Sequence, residues 1–158
     1  MTLAVRPANS RDTEAAVKLV RRSITELCTA DHRDDAATLD QWLANKTPEN
    51  FRAWISDPDN FCVVAEDAGV VHGAGLLHRD GEIRLMYLAP GSQRQGTGRA
   101  IHAALETQAR TWGLRMLFLD STSLARSFYE ALGYRATGEA KPRFGVLMCY
   151  PYEKPLQY

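Results

Sequence analysis

The sequence has few of the features that mark secreted, membrane or metal-binding proteins. Its three cysteines, Cys28, Cys62 and Cys149, form no C-x-x-C pair, and their odd number argues against a disulfide framework. No hydrophobic run approaches the length of a membrane span, and Arg6 and Pro7 interrupt the place of a signal peptide. We therefore expect a cytoplasmic protein with no metal and no membrane partner.

An excess of charge of either sign is also absent. The chain has 19 basic and 19 acidic residues, so its formal net charge is zero. No long-range field then favours nucleic acid, and any anion site must be local. The length of 158 residues and the hydrophobic content of 45% suit one packed core. We predict a single domain over residues 1–158.

Hydrophobic periodicity predicts alternating helices and strands. Helical spacing marks five segments, with caps expected at Asn9 or Ser10, at Thr47, and at Ser121 or Ser123. These segments include residues 16–27, 39–43, 48–55, 99–112 and 124–132, whereas 31–35 is expected to be a loop. The predicted strands are 3–6, 61–65, 70–77, 82–88, 115–119, 134–140 and 146–150.

The turns between these segments predict the topology. Short turns at 67–69 and 79–81 would join three strands into an antiparallel meander. The strand, helix and strand of 82–120 would form one parallel crossover. The predicted fold is α/β (α+β), with a mixed, mostly antiparallel central sheet flanked by helices. Ligands of such sheets gather where a strand feeds a helix N-terminus.

A glycine-containing loop stands at that point, between the strand 82–88 and the following helix. Gly96 and Gly98 permit close approach to free backbone N–H groups at the positive end of the helix dipole, which favours an anion. A dinucleotide fingerprint would need a third glycine where the chain has Ile101, and a triphosphate loop would need Gly-Lys-Ser/Thr. Neither nucleotide motif is present.

The loop instead resembles motif A of the GNAT superfamily of acyl-CoA-dependent N-acyltransferases, whose pattern is Q/R-x-x-G-x-G/A. The run Gln93-Arg94-Gln95-Gly96-Thr97-Gly98 matches each defined position. A second segment, Ser127-Phe128-Tyr129-Glu130-Ala131-Leu132-Gly133-Tyr134, resembles the family's FYExxGF segment. The resemblance covers about residues 61–150.

The resemblance implies acetyl-CoA as a co-substrate and an amine as the acceptor. The pantetheine arm would run along Met86, Tyr87 and Leu88, where a backbone N–H would also meet the oxyanion. The pyrophosphate would bind the backbone N–H groups of Gln93, Arg94, Gln95, Gly96, Thr97, Gly98 and Arg99. The other interpretation is that the glycines only form a tight turn with close helix packing.

Transfer to an amine needs an acid for the departing thiolate and a base for the ammonium. By resemblance, Tyr129 is the acid, although an aromatic residue that only packs beside Phe128 would give the same pattern. Glu82 is our candidate base, because it lies fourteen residues before Gly96, an offset that resembles the histone-modifying branch of the family. A solvated carboxylate paired with Arg84 is the competing interpretation. The remaining candidate bases are His32, His72 and His78.

The acceptor site is the part that the sequence describes least. By resemblance, the early helices form one wall of it, with Asp31, His32, Asp34, Asp35, Trp42 and Trp54. These residues suit either a cationic amine or a solvated acidic cap over core tryptophans. Many relatives carry Asn where this chain has Thr122, Ser123 and Leu124.

Two functions remain open at this stage. The first is direct transfer of an acetyl group from acetyl-CoA to a primary amine, without a metal. The second is a catalytically silent acyl-CoA-binding sensor or interaction module. Whether the chain forms a homodimer is left open.

Overall fold

The computed structural model describes residues 2–158, and Met1, the first residue of the predicted domain, lies outside them. Among these residues, six helices, α1 to α6, span Thr13–Leu27, Thr29–His32, Ala36–Leu43, Pro48–Ser56, Thr97–Thr111 and Arg126–Ala131. Eight strands, β1 to β8, span Ala4–Pro7, Asn60–Asp67, Val70–His78, Ile83–Leu88, Met116–Ser121, Arg135–Ala136, Lys141–Phe144 and Leu147–Pro155. None of these helices has both the length and the apolar character needed to cross a membrane.

The strands form two antiparallel sheets. The first has the order β1-β2-β3-β4, and the second has the order β5-β8-β6, with β7 also paired to β8. The sheets meet through a parallel bridge between Glu82 and Phe118, at the start of β4 and within β5. The predicted mixed fold with a parallel strand-helix-strand crossover is confirmed. Beyond the bridge, β4 and β5 do not pair, which leaves a cleft between them.

Hydrophobic cores cover both faces of the first sheet. The amphipathic helix α1 packs with α3 and α4 on one face, where Val20, Ile24 and Phe51 are fully buried. On the other face α5 contributes Ile101 and Leu105 to a core that also includes residues of β5, β8 and α6. The two layers of helices hold the cleft between them.

A β-bulge changes the pleat of β4. Leu76 pairs with Leu85 but Leu77 pairs with Ile83, so Arg84 has no partner in β3. As a result Ile83, Met86 and Leu88 belong to the α5 core, whereas Leu85 and Tyr87 belong to the α1 core. A strand without the bulge would place Glu82, Arg84, Met86 and Leu88 on one face, and the extra residue breaks that alternation.

Several element boundaries differ from those predicted. The short helix α2 includes residues 31 and 32 of the region expected to be a loop, and β7 is a strand absent from the prediction. The predicted strand 134–140 is reduced to the two residues of β6. Neither serine caps α6, because Thr122 Oγ1 accepts the Ala125 N–H at 3.2 Å. The predicted cap at Thr47 is confirmed, whereas Asn9 caps the 3-10 turn Ser10–Asp12 that leads into α1.

Candidate active site

The N-terminus of α5 presents unpaired backbone donors. The helix begins after Gly96, which has φ of +81° and therefore a left-handed conformation that favours glycine. Among residues 2–158, none accepts a hydrogen bond from the backbone N–H groups of 93–99. These donors and the helix dipole make the loop a ready site for a phosphate anion.

A cavity of about 580 Å³ runs from this loop into the cleft between β4 and β5. The cavity lies where the two strands diverge. Helix α6 and the segment before it form one of its walls. Residues 93, 94 and 98 line the loop end, whereas Met86, Tyr87, Leu88 and Tyr129 line its interior. The remaining lining residues are Ser23, Leu27, Cys28, Ile83, Arg84, Leu119, Asp120, Ser121, Thr122, Leu124, Ala125, Ser127 and Phe128.

The residues predicted to hold the cofactor are thus brought together in part around one cavity. Met86, Tyr87, Leu88, Gln93, Arg94 and Gly98 line it. Gln95, Gly96, Thr97 and Arg99 do not line it, although their backbone N–H groups belong to the unpaired set. Gly98 also has a packing role, because a Cβ there would lie 3.1 Å from a ring carbon of Phe128.

Tyr129 is buried at the inner part of the cavity, where its side chain contacts other aromatic rings. Its ring lies edge-on to Phe128 and Tyr134, at centroid distances of 5.1 and 5.3 Å. Burial, reinforced by the nearby Tyr87 hydroxyl, raises the pKa of Tyr129 well above its ordinary value. The phenol therefore keeps its proton at neutral pH, as a proton donor must.

Glu82 lies at the bridge between the two sheets and does not line the cavity. Its Oε1 accepts a hydrogen bond from Arg84 Nε at 2.9 Å, and Arg84 does line the cavity. Asp120, which follows Leu119 on β5, is itself a lining residue of the cavity. Asp120 is not among the bases predicted from the sequence, although a carboxylate at the end of the apolar strand after the glycine loop is a signal for it.

The candidate histidines lie away from the cavity. His72 Nδ1 is 3.0 Å from Ser92 Oγ, and His78 Nδ1 is 2.8 Å from Asn60 Oδ1. His32 is completely buried and accepts the Asp34 N–H through Nδ1 at 2.9 Å. Of the residues in the part of the chain that the structure describes, no group of three or more His, Cys, Asp or Glu is placed to hold a metal ion.

The predicted acidic wall is largely engaged in local structure. Asp35 caps α3 through the Thr38 N–H, Asp34 is exposed, and Trp54 packs on Phe51. Asp31 is buried, and its Oδ1 accepts the Ser123 N–H at 2.7 Å, which ties α2 to the segment before α6. Trp42 faces a smaller second cavity.

Comparison with known proteins identifies the family. A family model described as an acetyltransferase (GNAT) domain matches residues 28–156. An uncharacterised N-acetyltransferase of Mycobacterium tuberculosis is 27% identical over 110 residues, covering 65% of this chain and 70% of the relative. The chain therefore belongs to the GNAT acetyltransferase family, as the two sequence motifs predicted.

Solved structures share the whole fold. A GCN5-related N-acetyltransferase from Rhodopseudomonas palustris has a TM-score of 0.86 at 24% identity, covering 99% of this chain and 97% of the other. The PaiA N-acetyltransferase of Thermoplasma acidophilum, solved with coenzyme A, has a TM-score of 0.83 at 18% identity, covering 99% and 100%. A putative acetyltransferase of Salmonella typhimurium, solved with acetyl-CoA, has a TM-score of 0.71 at 21% identity, covering 100% and 96%.

Proposed function

We propose that this chain transfers an acetyl group from acetyl-CoA to a primary amine by direct attack of the amine on the thioester. One observation carries the proposal: the loop with the unpaired N–H groups of 93–99 borders, through residues 93, 94 and 98, a cavity that Tyr129 also lines. Membership of an acetyltransferase family supports the reaction, and the solved relatives with coenzyme A or acetyl-CoA support the donor.

The proposed division of labour follows from the cavity. The backbone donors at the α5 N-terminus bind the pyrophosphate, and Arg94 at the cavity mouth adds a charged donor. Beyond the bridge at Glu82, the β4 edge has no strand partner on the cleft side, so its N–H groups are available to the amide-bearing arm and to the carbonyl oxygen.

Two proton transfers complete the reaction. Tyr129 donates a proton to the departing thiolate, and its raised pKa means that the phenol holds this proton at neutral pH. Asp120 accepts the proton of the ammonium, because Asp120 lines the cavity whereas Glu82 does not and its carboxylate is held by Arg84. Glu82, predicted from the sequence, is the competing proposal for this step.

Release of free thiol from acetyl-CoA in the presence of a panel of amines tests the proposed transfer. We expect release that depends on the amine and that produces one N-acetylated product per thiol. Tight binding of coenzyme A without amine-dependent release across the panel would instead support the silent binding module.

The base is tested by comparing Asp120→Asn with Glu82→Gln. If Asp120 is the base, its substitution lowers kcat/KM for the amine by about 10²-fold, a typical contribution of general base catalysis, whereas Glu82→Gln changes it less than about threefold. The reverse pattern would assign the step to Glu82.

A further inference from the structure

A second, smaller cavity of about 170 Å³ adjoins the first along β4 and β5. This volume has room for several water molecules, and therefore for a small polar group. Arg84, Tyr87, Asp120, Ser121 and Thr122 line both cavities. The other lining residues come from α3, the segment after it and the β7–β8 hairpin, namely Gln41, Trp42, Asn45, Lys46, Arg143, Phe144, Leu147, Met148 and Cys149.

Lys46 is the unusual group of this second cavity. It is only 8% exposed, yet no carboxylate among residues 2–158 lies within 4 Å of its Nζ. Nζ donates to Asn45 Oδ1 at 2.6 Å and to the Trp42 carbonyl at 3.3 Å, which leaves its third donor unused. Burial, together with Arg143 and Arg21, lowers the pKa of Lys46 to about 8. A buried cation without a counter-charge is costly unless a ligand supplies one.

The other charged groups of the cavity are mostly cationic. Arg143 is about half exposed, and its Nη1 is 3.9 Å from Asp120 Oδ2, a distance that leaves the guanidinium free to contact a ligand. Arg84 is already bound to Glu82 and Asp80. Because Arg84 is paired, Lys46 and Arg143 are the cations of this cavity that remain for a ligand, and its one carboxylate, Asp120, lies on the side shared with the first cavity.

We propose that the acceptor is a small amine that also carries an anionic group, a carboxylate or a phosphate, and that Lys46 and Arg143 bind this group in the second cavity. The inference rests on the proposed transfer to an amine and adds the acceptor's chemical class. With the anion at Lys46, the amine end lies towards Asp120 and the thioester. The site is separate from the pyrophosphate loop, because no residue of 93–99 lines the second cavity.

Matched pairs of ligands test the charge requirement. The pairs are glycine, β-alanine, 4-aminobutyrate and 5-aminopentanoate with the corresponding amides, and 2-aminoethyl phosphate with ethanolamine. Calorimetry on the protein saturated with coenzyme A measures binding, and thiol release from acetyl-CoA measures kcat/KM. We expect at least one acid to bind about tenfold or more tightly than its neutral partner, as a charge-assisted contact would give. The chain-length series and the phosphate pair tell which anion and spacing fit.

Variants test whether residues of the second cavity cause the preference for anionic ligands. Lys46→Met keeps the length of the side chain without its charge, and Arg143→Gln removes a charge at an exposed position, where folding is little affected. Each should reduce the preference for the anionic partner to less than about threefold, while the Kd of coenzyme A stays within about twofold of the unsubstituted protein. Arg135→Gln is the matched control, since Arg135 is exposed on β6 and lines neither cavity.

The two proposals fail in different ways. If the acids bind and Lys46→Met abolishes the preference, but no amine releases thiol, then the transfer is wrong and the anion site stands. If thiol release is equal for acids and amides, or greater for the dication 1,5-diaminopentane, then the anion site is wrong and the transfer stands. Equal binding of acids and amides, without transfer, overturns both.

Discussion

At the scale of single residues, Tyr129 combines burial with an open hydroxyl. Its side chain is buried in the aromatic cluster, and no residue in the described chain forms a hydrogen bond with its hydroxyl. Tyr134, in the same cluster, differs because its hydroxyl is 2.7 Å from His102 Nε2. The two tyrosines therefore make a matched pair for mutagenesis.

We expect Tyr129→Phe to lower kcat by about 10²-fold, because a general acid typically contributes this much, with KM for acetyl-CoA changed less than about twofold. Steady-state kinetics with a fixed amine measures both. Tyr134→Phe, the control, should leave kcat nearly unchanged, since Tyr134 lines neither cavity. Unaltered turnover in Tyr129→Phe would remove Tyr129 from the mechanism.

The burial of Lys46 leads to a second prediction, which concerns how stability depends on pH. Its pKa in the folded chain is about 8, compared with an ordinary value of 10.5. Between these two values the unfolded chain binds more protons than the folded one, so the free energy of unfolding rises with pH in that window. Below about pH 8 the lysine is charged in both states, and its burial lowers stability.

Lys46→Met should therefore be more stable than the unsubstituted chain at pH 7, by on the order of 1–3 kcal/mol. The difference should shrink as the pH rises from 8 towards 10.5. Urea unfolding at several pH values measures it, with Lys18→Met as the control for an exposed lysine on α1. A less stable Lys46→Met at pH 7 would mean that the two hydrogen bonds of Nζ outweigh the burial of its charge.

At the scale of elements, the left-handed start of α5 carries the anion site. Gly96 and Gly69 both have φ of +81° and open space where a Cβ would lie. Gly69 lies in the β2–β3 hairpin, whereas Gly96 lies within the loop whose N–H groups, those of 93–99, have no acceptor among residues 2–158. The same substitution at the two positions separates backbone strain from ligand binding.

We expect Gly96→Ala and Gly69→Ala each to cost about 1 kcal/mol of stability through the left-handed conformation. Only Gly96→Ala should also weaken the binding of coenzyme A, by about three- to tenfold, because a relaxed loop no longer holds its N–H groups in place for the phosphates. Calorimetric titration with coenzyme A measures this. Equal affinities in the two variants would contradict the role of the loop.

The helices and strands also show which structural features can be predicted from the sequence. Local signals such as Thr47-Pro48 and Gly113 mark helix ends correctly, because caps and left-handed residues depend on neighbours in the chain. The bulge at Arg84 depends on the register with β3, which no local pattern records. For the same reason the two motifs locate the cofactor loop, but the second cavity stays hidden, since Lys46 and Arg143 are far apart in sequence and meet only through tertiary packing.

At the scale of the whole molecule, a β-bridge between Glu82 and Phe118 connects the two sheets. Coenzyme A bound in the cleft would contact both sheets. A ligand that binds only the folded state stabilises it by mass action. Coenzyme A at 100 times its Kd should therefore add about 2.7 kcal/mol.

This gain corresponds to a rise of roughly 5–10 °C in Tm for a chain of this size. Thermal unfolding monitors it, and hydrogen exchange should show slower exchange in β4 and β5 than without ligand, with β1 little changed. Pantetheine, which lacks the pyrophosphate, is the control and should give a smaller shift. Slower hydrogen exchange in only one of the two sheets would contradict binding across the cleft.

The divided sheet also bears on self-association. An exposed strand edge can pair with another chain and begin aggregation. Here the unpaired edges of β4 and β5 flank the same cleft, so each strand shields the edge of the other from a second molecule. The outer edges are protected differently: β6 has two residues, and β1 and β7 contain Pro7 and Pro142, which lack a donor. The cleft proposed for acetyl-CoA thus adds two unpaired strand edges without adding a surface on which a cross-β aggregate could grow.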